Sequence, residues 1–369
     1  MSSAGHVIED MRIYRFDIPL KDVFTIATMS LSTAQNLLVE LRTSEGIVGW
    51  GEASPYRALV GETQLINIAA AQELKPLLLG RNPLAISGLM QEIDAFLPHN
   101  TTLKSAIDMA LHDVAAKICG VPLYAYLGGE PRAMETDLTI GICDPQVAGH
   151  KAKAIQAMGF RIIKVKLGLD FKGDLTRLEN IRAAVGPDTI LRIDANQGWD
   201  RISAAQSLKA FERFNIELCE QPCRASDFDG MRYASRCSSI PIMADEAVFS
   251  PSDALALIRE DATDYFNIKL SKAGGIQNAG KIANVAEAGH RPCMIGCMSE
   301  SLLGITAAAH FACAHPIVQY FDLDSCLEHA ENRITGGVTF QGGVITLPRE
   351  PGIGAQPAPD LLRTLAAIP

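Results

Sequence analysis

Apolar and polar residues alternate along Ile13-Tyr14-Arg15-Phe16-Asp17-Ile18, and in part along Asn36-Leu37-Leu38-Val39-Glu40-Leu41. The second run reaches Gly46 and then Ile47-Val48-Gly49-Trp50, so the pattern predicts a hairpin in a small antiparallel sheet. Between 103 and 118 the period changes. Leu103, Ile107, Ala110, Leu111, Val114 and Ile118 recur mostly three or four residues apart and Gly120 follows, which predicts an amphipathic helix with a stop signal. Leu127-Gly128-Gly129-Glu130-Pro131 breaks the pattern and marks a domain boundary.

Beyond it, short apolar strands alternate with helical stretches, the texture of a parallel sheet with crossover helices. Strands are predicted at 137–143, 161–166, 189–194, 216–220, 242–245, 265–269, 293–296 and 318–322. Eight of them point to an α/β fold, a modified TIM barrel of (β/α)7β type with an α+β capping domain. The tail, Gly336-Gly337-Val338-Thr339-Phe340 and Gly342-Gly343-Val344-Ile345-Thr346-Leu347, reads as a hairpin returning to the first domain. The expected organisation is a capping domain at 1–130, a barrel at 131–325 and a returning segment at 326–369.

Composition narrows the function classes. Hydrophobic residues at 48% and charged residues at 20% describe a globular chain without a disordered tail. The net charge of -9 is spread along the chain with no Lys/Arg block, which argues against a nucleic-acid partner. No stretch reaches the roughly 18 uninterrupted apolar residues of a membrane span, and MSSAGHVIEDMRIYRF has no apolar run after a basic segment, so a cytoplasmic protein is expected. Nine cysteines without a C-x-x-C pair, Cys119, Cys219, Cys293 and Cys313 among them, read as buried free thiols.

In a TIM-type barrel the chemistry sits at the C-terminal ends of the strands. Here strand two ends in Lys164-Val165-Lys166, strand three in Asp194, strand four in Glu220, strand five in Asp245, strand six in Lys269 and strand eight in Asp322-Leu323-Asp324. Asp194, Glu220, Asp245 and Lys269 follow one another at 26, 25 and 24 residues, one strand-plus-helix unit each, and should converge on one mouth. A lone Asp past a strand is a helix cap or surface charge; three carboxylates at this spacing form a hard, oxygen-only site suited to Mg²⁺ or Mn²⁺, with Mg²⁺ the default. Period two puts Lys164 and Lys166 on one face, the barrel interior. A lysine beside another cation and a metal should give up its proton readily, so Lys164 would tune Lys166 as a base. Lys269 lies four strands away and approaches a central substrate from the opposite side, the arrangement of a racemase or epimerase.

Lys164-Val165-Lys166, Asp194-Ala195-Asn196-Gln197-Gly198-Trp199, Glu220-Gln221-Pro222, Ala244-Asp245-Glu246 and Asn267-Ile268-Lys269-Leu270-Ser271-Lys272 together resemble the enolase superfamily, in its muconate-lactonizing-enzyme-like subgroup. Gly51-Glu52, Leu127-Gly128-Gly129 and Pro351-Gly352-Ile353-Gly354 extend the resemblance along the chain. It implies an enolase-type fold and an isomerase that removes a proton next to a carboxylate, with Lys166 and Lys269 as bases and Asp194, Glu220 and Asp245 holding Mg²⁺. No His ends strand seven, so a mandelate-racemase-like His base is unsupported.

Asp322-Leu323-Asp324 looks like the D-x-D element of dipeptide epimerases. The resemblance implies a dipeptide whose carboxylate meets the metal and whose amine lies between Asp322 and Asp324. Members acting on L-Ala-D/L-Glu tend to carry an arginine in the first capping loop, whereas Phe24-Thr25-Ile26-Ala27-Thr28-Met29-Ser30 has no cation. An acidic side chain against Ile26 and Met29 would lack a partner, so an uncharged residue is expected at the epimerised position. Arg57, beside Tyr56 in the second loop, is able to restore an L-Ala-D/L-Glu epimerase. Thr25, Ile26, Met29, Tyr56, Arg57, Cys297, Met298 and Ser299 are the candidate substrate contacts. An o-succinylbenzoate synthase or N-acylamino acid racemase would share the lysines and metal ligands without needing an ammonium receptor. Oligomeric state is left open, although barrels of this kind often assemble as homo-oligomers.

Overall fold

The structure, a computed structural model, describes residues 5–368. The first hairpin is longer than its pattern: Ile8–Ile26 pairs with Met29–Thr43 as far as Ile26 opposite Met29, leaving a two-residue turn at Ala27 and Thr28. Alternating burial stops at Ile18, and residues 19–25 are exposed or half-buried, so this half of the ribbon carries no period to read. Val48–Ala53 and Ala367–Ile368 complete the four-stranded capping sheet.

The helix predicted at 103–118 spans Thr101–Cys119, but it is not amphipathic: every residue from Thr102 to Ala116 is buried. It is held between the capping sheet and the barrel. On the sheet side a Cβ on Gly49 or Gly51 would lie 2.3 Å from the Ala110 carbonyl oxygen or 1.9 Å from that of Ala106, so glycine permits this approach. On the barrel side Asp108 Oδ2 accepts the amides of Ile276 and Gln277 at 2.5 and 3.3 Å. Thr102, Lys104 and Asp113 of this helix find partners within the capping domain, in Asn67, Asp94 and the Trp50 amide.

Eight parallel strands follow in chain order: Leu138–Ile140, Ile162–Lys166, Ile190–Asp194, Ile216–Glu220, Ile242–Ala244, Tyr265–Ile268, Cys293–Ile295 and Val318–Phe321. The helices Pro145–Ala157, Phe171–Val185, Arg201–Phe211, Phe228–Cys237, Pro251–Arg259, Ile276–Ala288 and Leu302–Ala314 follow the first seven, giving the (β/α)7β pattern. Six begin at an Asp or Ser whose side chain accepts a first-turn amide. The exception starts at Gly275 and is capped by Asp108 from the other domain. Ile163 and Val165 face the helices, so Lys164 and Lys166 face inward. Leu218, Met243 and Met294, with Tyr265 and Tyr320, fill the barrel beneath the strand ends.

The C-terminal hairpin, Thr339–Gln341 with Val344–Thr346, does not return to the capping domain; it adds to Met134–Glu135 just ahead of the first barrel strand. The return is made later, by Gly352 bridging Pro122 and by Ala367–Ile368 pairing with Ile13 and Tyr14. All nine cysteines are unpaired, with Cys119 exposed at a helix end and not buried as expected. Among the described residues no helix is long and apolar enough to cross a membrane.

Candidate active site

Strands two to six and eight deliver a buried ionic cluster to the barrel mouth. Lys164 Nζ sits between three carboxylates, 2.6 Å from Glu220 Oε2, 2.7 Å from Asp322 Oδ2 and 3.3 Å from Asp194 Oδ2. Lys166 Nζ is 2.6 Å from the same Asp194 oxygen, and Lys269 Nζ is 2.8 Å from Asp245 Oδ2. Asp194 and Glu220 are register partners on adjacent strands, and Asn267 Nδ2 donates to Glu220 Oε1 at 2.9 Å. Lys272 was present in the sequence motif without a role. Its Nζ lies 2.5 Å from Asp245 Oδ1 and 2.9 Å from the Asn267 carbonyl, fixing the Asp245 carboxylate from behind.

Carboxylates set the protonation of two of these lysines. Burial alone pushes Lys164 down, but Asp322, Glu220 and Asp194 outweigh it and hold the ammonium well above the usual lysine range. Lys269 is raised likewise: burial opposes the charge, while Asp245 and Glu220 favour it. Lys164 and Lys269 each meet acids before they meet another cation, so their protonated forms dominate. Burial raises Asp194 and Asp245, but Lys166 and Lys164 pull the first below the carboxylate range and Lys269 and Lys272 the second. Burial and Asp194 push Glu220 up to about 7, and burial with Asp245 and Asp194 pushes Glu246 up to about 8.

Lys166 and Lys269 line one small cavity, of ≈ 50 Å³, with Phe24, Ile26, Leu59 and Met298. Tyr56 and Cys297 also line it, as do Thr28, Ala58, Asn196 and Glu246, which the sequence reading left out. Thr25, Met29, Arg57 and Ser299 do not. Thr25 Oγ1 pairs with Ser30 Oγ at 2.9 Å on the exposed face of the hairpin, because period two turns Phe24, Ile26 and Thr28 inward instead. Arg57 is exposed at the start of Arg57–Val60, and Ser299 binds the capping domain, its amide donating to Ser54 Oγ at 3.2 Å. The cations of the wall are the two lysines.

Residues 147–361 match the model described as enolase C-terminal domain-like, and residues 10–128 match the N-terminal domain of mandelate racemase / muconate lactonizing enzyme. The chain belongs to the mandelate racemase/muconate lactonizing enzyme family. It is 39% identical to the L-Ala-D/L-Glu epimerase of Bacillus subtilis, over 92% of this chain and 94% of that one. It is 38% identical to the hydrophobic dipeptide epimerase of Enterococcus faecalis, over 94% and 99%. A dipeptide epimerase from Cytophaga hutchinsonii, crystallised with Mg and D-Ala-L-Val, superposes with a TM-score of 0.96 at 38% identity, over 98% of this chain and 99% of that one.

For a member of this family the acidic cluster can be tested against a divalent ion. Asp194, Glu220 and Asp245 are fully buried carboxyls at the ends of three successive strands. Asn196 Oδ1 and Glu246 Oε2 are buried without a hydrogen-bond partner. Oxygen donors and orphaned acceptors fit Mg²⁺. The tightest grouping of ligand atoms among the described residues is elsewhere, Cys297 with Asp322 and Asp324 within 4.8 Å, because ammonium groups stand between the oxygens of Asp194, Glu220 and Asp245. At that grouping burial, then Asp322 and Asp324, hold the Cys297 thiol far above its usual range, and a protonated thiol is a poor metal ligand. Asp324 is pushed up to about 7 by burial and Asp322.

Proposed function

We propose that the protein is a Mg²⁺-dependent dipeptide epimerase that inverts the α-carbon of the C-terminal residue and favours an uncharged side chain there. The observation that carries this is the cavity: Lys166 and Lys269, from strands four apart, line it together, and the rest of its wall holds no other cation. One lysine, neutral when its turn comes, takes the α-proton; the other, as an ammonium, returns a proton to the opposite face. Asp194 and Asp245 pair with Lys166 and Lys269 at 2.6 and 2.8 Å, and a divalent ion held by these carboxylates would compete with the two ammonium groups for them. Asp194, Glu220 and Asp245 would hold Mg²⁺, which when bound supplies Lewis-acid stabilisation of the charge developing on the substrate carboxylate. Asp322 and Asp324 receive the substrate ammonium, and Lys164, at 2.7 Å from Asp322 Oδ2, sets the position of that receptor.

The side-chain preference follows from desolvation. A glutamate side chain among Phe24, Ile26, Leu59 and Met298 would find no cation other than the two bases, since Arg57 lies outside the wall. The nine unpaired thiols support a reducing, cytoplasmic setting.

A library of Ala-Xaa dipeptides incubated with enzyme and Mg²⁺ in D₂O tests the reading. Deuterium should enter the C-terminal α-carbon, with kcat/KM for apolar Xaa exceeding that for Glu by at least roughly tenfold. Dominance of Ala-Glu would overturn the preference. No exchange across the library would overturn the epimerase, and turnover untouched by Asp322→Ala would favour an acylamino acid racemase.

A further inference from the structure

We propose that Asn196 and Glu246 form an acceptor pair for the waters carried by the divalent ion, an inference that rests on the function proposed above. Neither residue belongs to the three-carboxylate set, yet each follows a member of it: Asn196 lies two residues past Asp194 and Glu246 directly past Asp245. Asn196 holds a left-handed backbone (φ +40°), and its amide donates to Asp194 Oδ1 at 2.8 Å. Its Nδ2 donates to Glu246 Oε1 at 3.2 Å, which locks the two side chains together.

That contact uses one oxygen of Glu246 and the amide nitrogen of Asn196. Asn196 Oδ1 and Glu246 Oε2 are left without a donor among the described residues, although the residues are only 4% and 7% exposed. A buried acceptor without a donor is costly, and two on one wall call for a ligand that brings hydrogens. The pair faces the cavity lined by Lys166 and Lys269. Mg²⁺ dehydrates reluctantly and keeps several waters, so three carboxylates leave O–H groups that need acceptors, and waters polarised by a cation donate strongly. The other donor in the proposed reaction, the substrate ammonium, is directed to the eighth strand, away from the third and fifth.

The committed and free oxygens of Glu246 give the inference a signature of its own. Glu246→Gln keeps an oxygen for Asn196 Nδ2 and replaces the unpartnered Oε2 by an amide that cannot accept. It should therefore leave the melting temperature without Mg²⁺ unchanged, while weakening Mg²⁺ binding measured calorimetrically by about ten- to a hundredfold. Asn196→Gly, which tolerates the left-handed backbone, should weaken Mg²⁺ in the same direction. The KM for a dipeptide at saturating Mg²⁺ should change by less than the Mg²⁺ Kd.

An Mg²⁺ affinity in folded Glu246→Gln equal to that of the wild type would overturn the proposal. So would a raised dipeptide KM with Mg²⁺ affinity intact, which would assign the pair to the substrate amide. A wild-type protein that fails to bind Mg²⁺ at all would instead remove the proposed function.

Discussion

At Asp324 one carboxylate oxygen is committed, because Oδ2 accepts the Thr139 amide at 2.7 Å, while Oδ1 faces Cys297 Sγ at 3.6 Å. Asp324→Asn keeps an acceptor for Thr139 and removes the charge, so it separates fold from recognition. If the pair receives an ammonium, kcat/KM for dipeptides with a free amine should fall about ten- to a hundredfold, chiefly through KM. N-acetylated dipeptides, which bring no ammonium, should lose little, and steady-state kinetics on matched pairs would show it. Equal losses on both would remove Asp324 from amine recognition. The charged residues of this site were legible because each ends an apolar strand and strand-plus-helix units have similar lengths. The protonation bias of Lys164 was not, since its partner Asp322 lies 158 residues away. That Phe24 and Thr28 face the cavity, and Thr25 and Met29 do not, is not legible in the sequence, because the parity of a hairpin is set by its turn and this turn has no period.

At the scale of elements, the loop that carries Cys297 and Met298 into the cavity is held from the capping domain. Glu52 Oε1 accepts from Asn36 Nδ2 at 2.7 Å and Ser301 N at 2.8 Å, and Oε2 accepts from Ser301 Oγ at 2.6 Å and Gly304 N at 3.0 Å. One carboxylate thus caps the helix Leu302–Ala314 and pins its preceding loop, while Asn36 Nδ2 also reaches the Ser299 carbonyl at 2.8 Å. Glu52→Ala should strand two buried amides and cost roughly 2–4 kcal/mol in urea denaturation. Dipeptide KM should rise with it as the wall loosens, and Glu52→Gln should fall between the two. A variant of wild-type stability would show that water replaces the carboxylate without loss. Gly51-Glu52 stood out in the sequence as a motif, but its partners lie about 250 residues on, beyond the reach of any local pattern. The eight barrel strands, by contrast, were legible to within three residues, since an apolar run between turns is local information. The helix Thr101–Cys119 was legible as a helix and illegible as to exposure, because its Lys104, Asp108, His112 and Asp113 look like a solvent face until the second domain covers them.

Across the whole molecule the two domains and the C-terminal segment meet at buried polar contacts, and one of them titrates. His310 Nε2 donates to the Ile353 carbonyl at 3.0 Å and Nδ1 accepts the Tyr124 amide at 3.1 Å, with the Tyr124 ring stacked at 5.4 Å. The barrel helix, the capping-domain exit and the returning tail thus share one neutral imidazole. Burial pushes His310 down to about 4, and the contact with Ile353 offsets this only in part. Between that value and the ordinary histidine value of 6.5 the unfolded chain binds a proton that the folded chain refuses. The contribution of His310 is therefore complete above about pH 6.5 and declines as the pH falls towards 4, by about 3 kcal/mol over the interval. The buried acids Glu52 and Asp324, each pushed up to about 7 with burial the largest cause, drift the opposite way, so the total stability profile hides the effect. The difference between wild type and His310→Gln does not, because those acids are common to both. Urea midpoints should show a gap that is widest near pH 7.5 and shrinks progressively as the pH is lowered to 4.5. A gap independent of pH would mean that folding leaves the His310 proton affinity unchanged, so that burial does not hold the imidazole neutral.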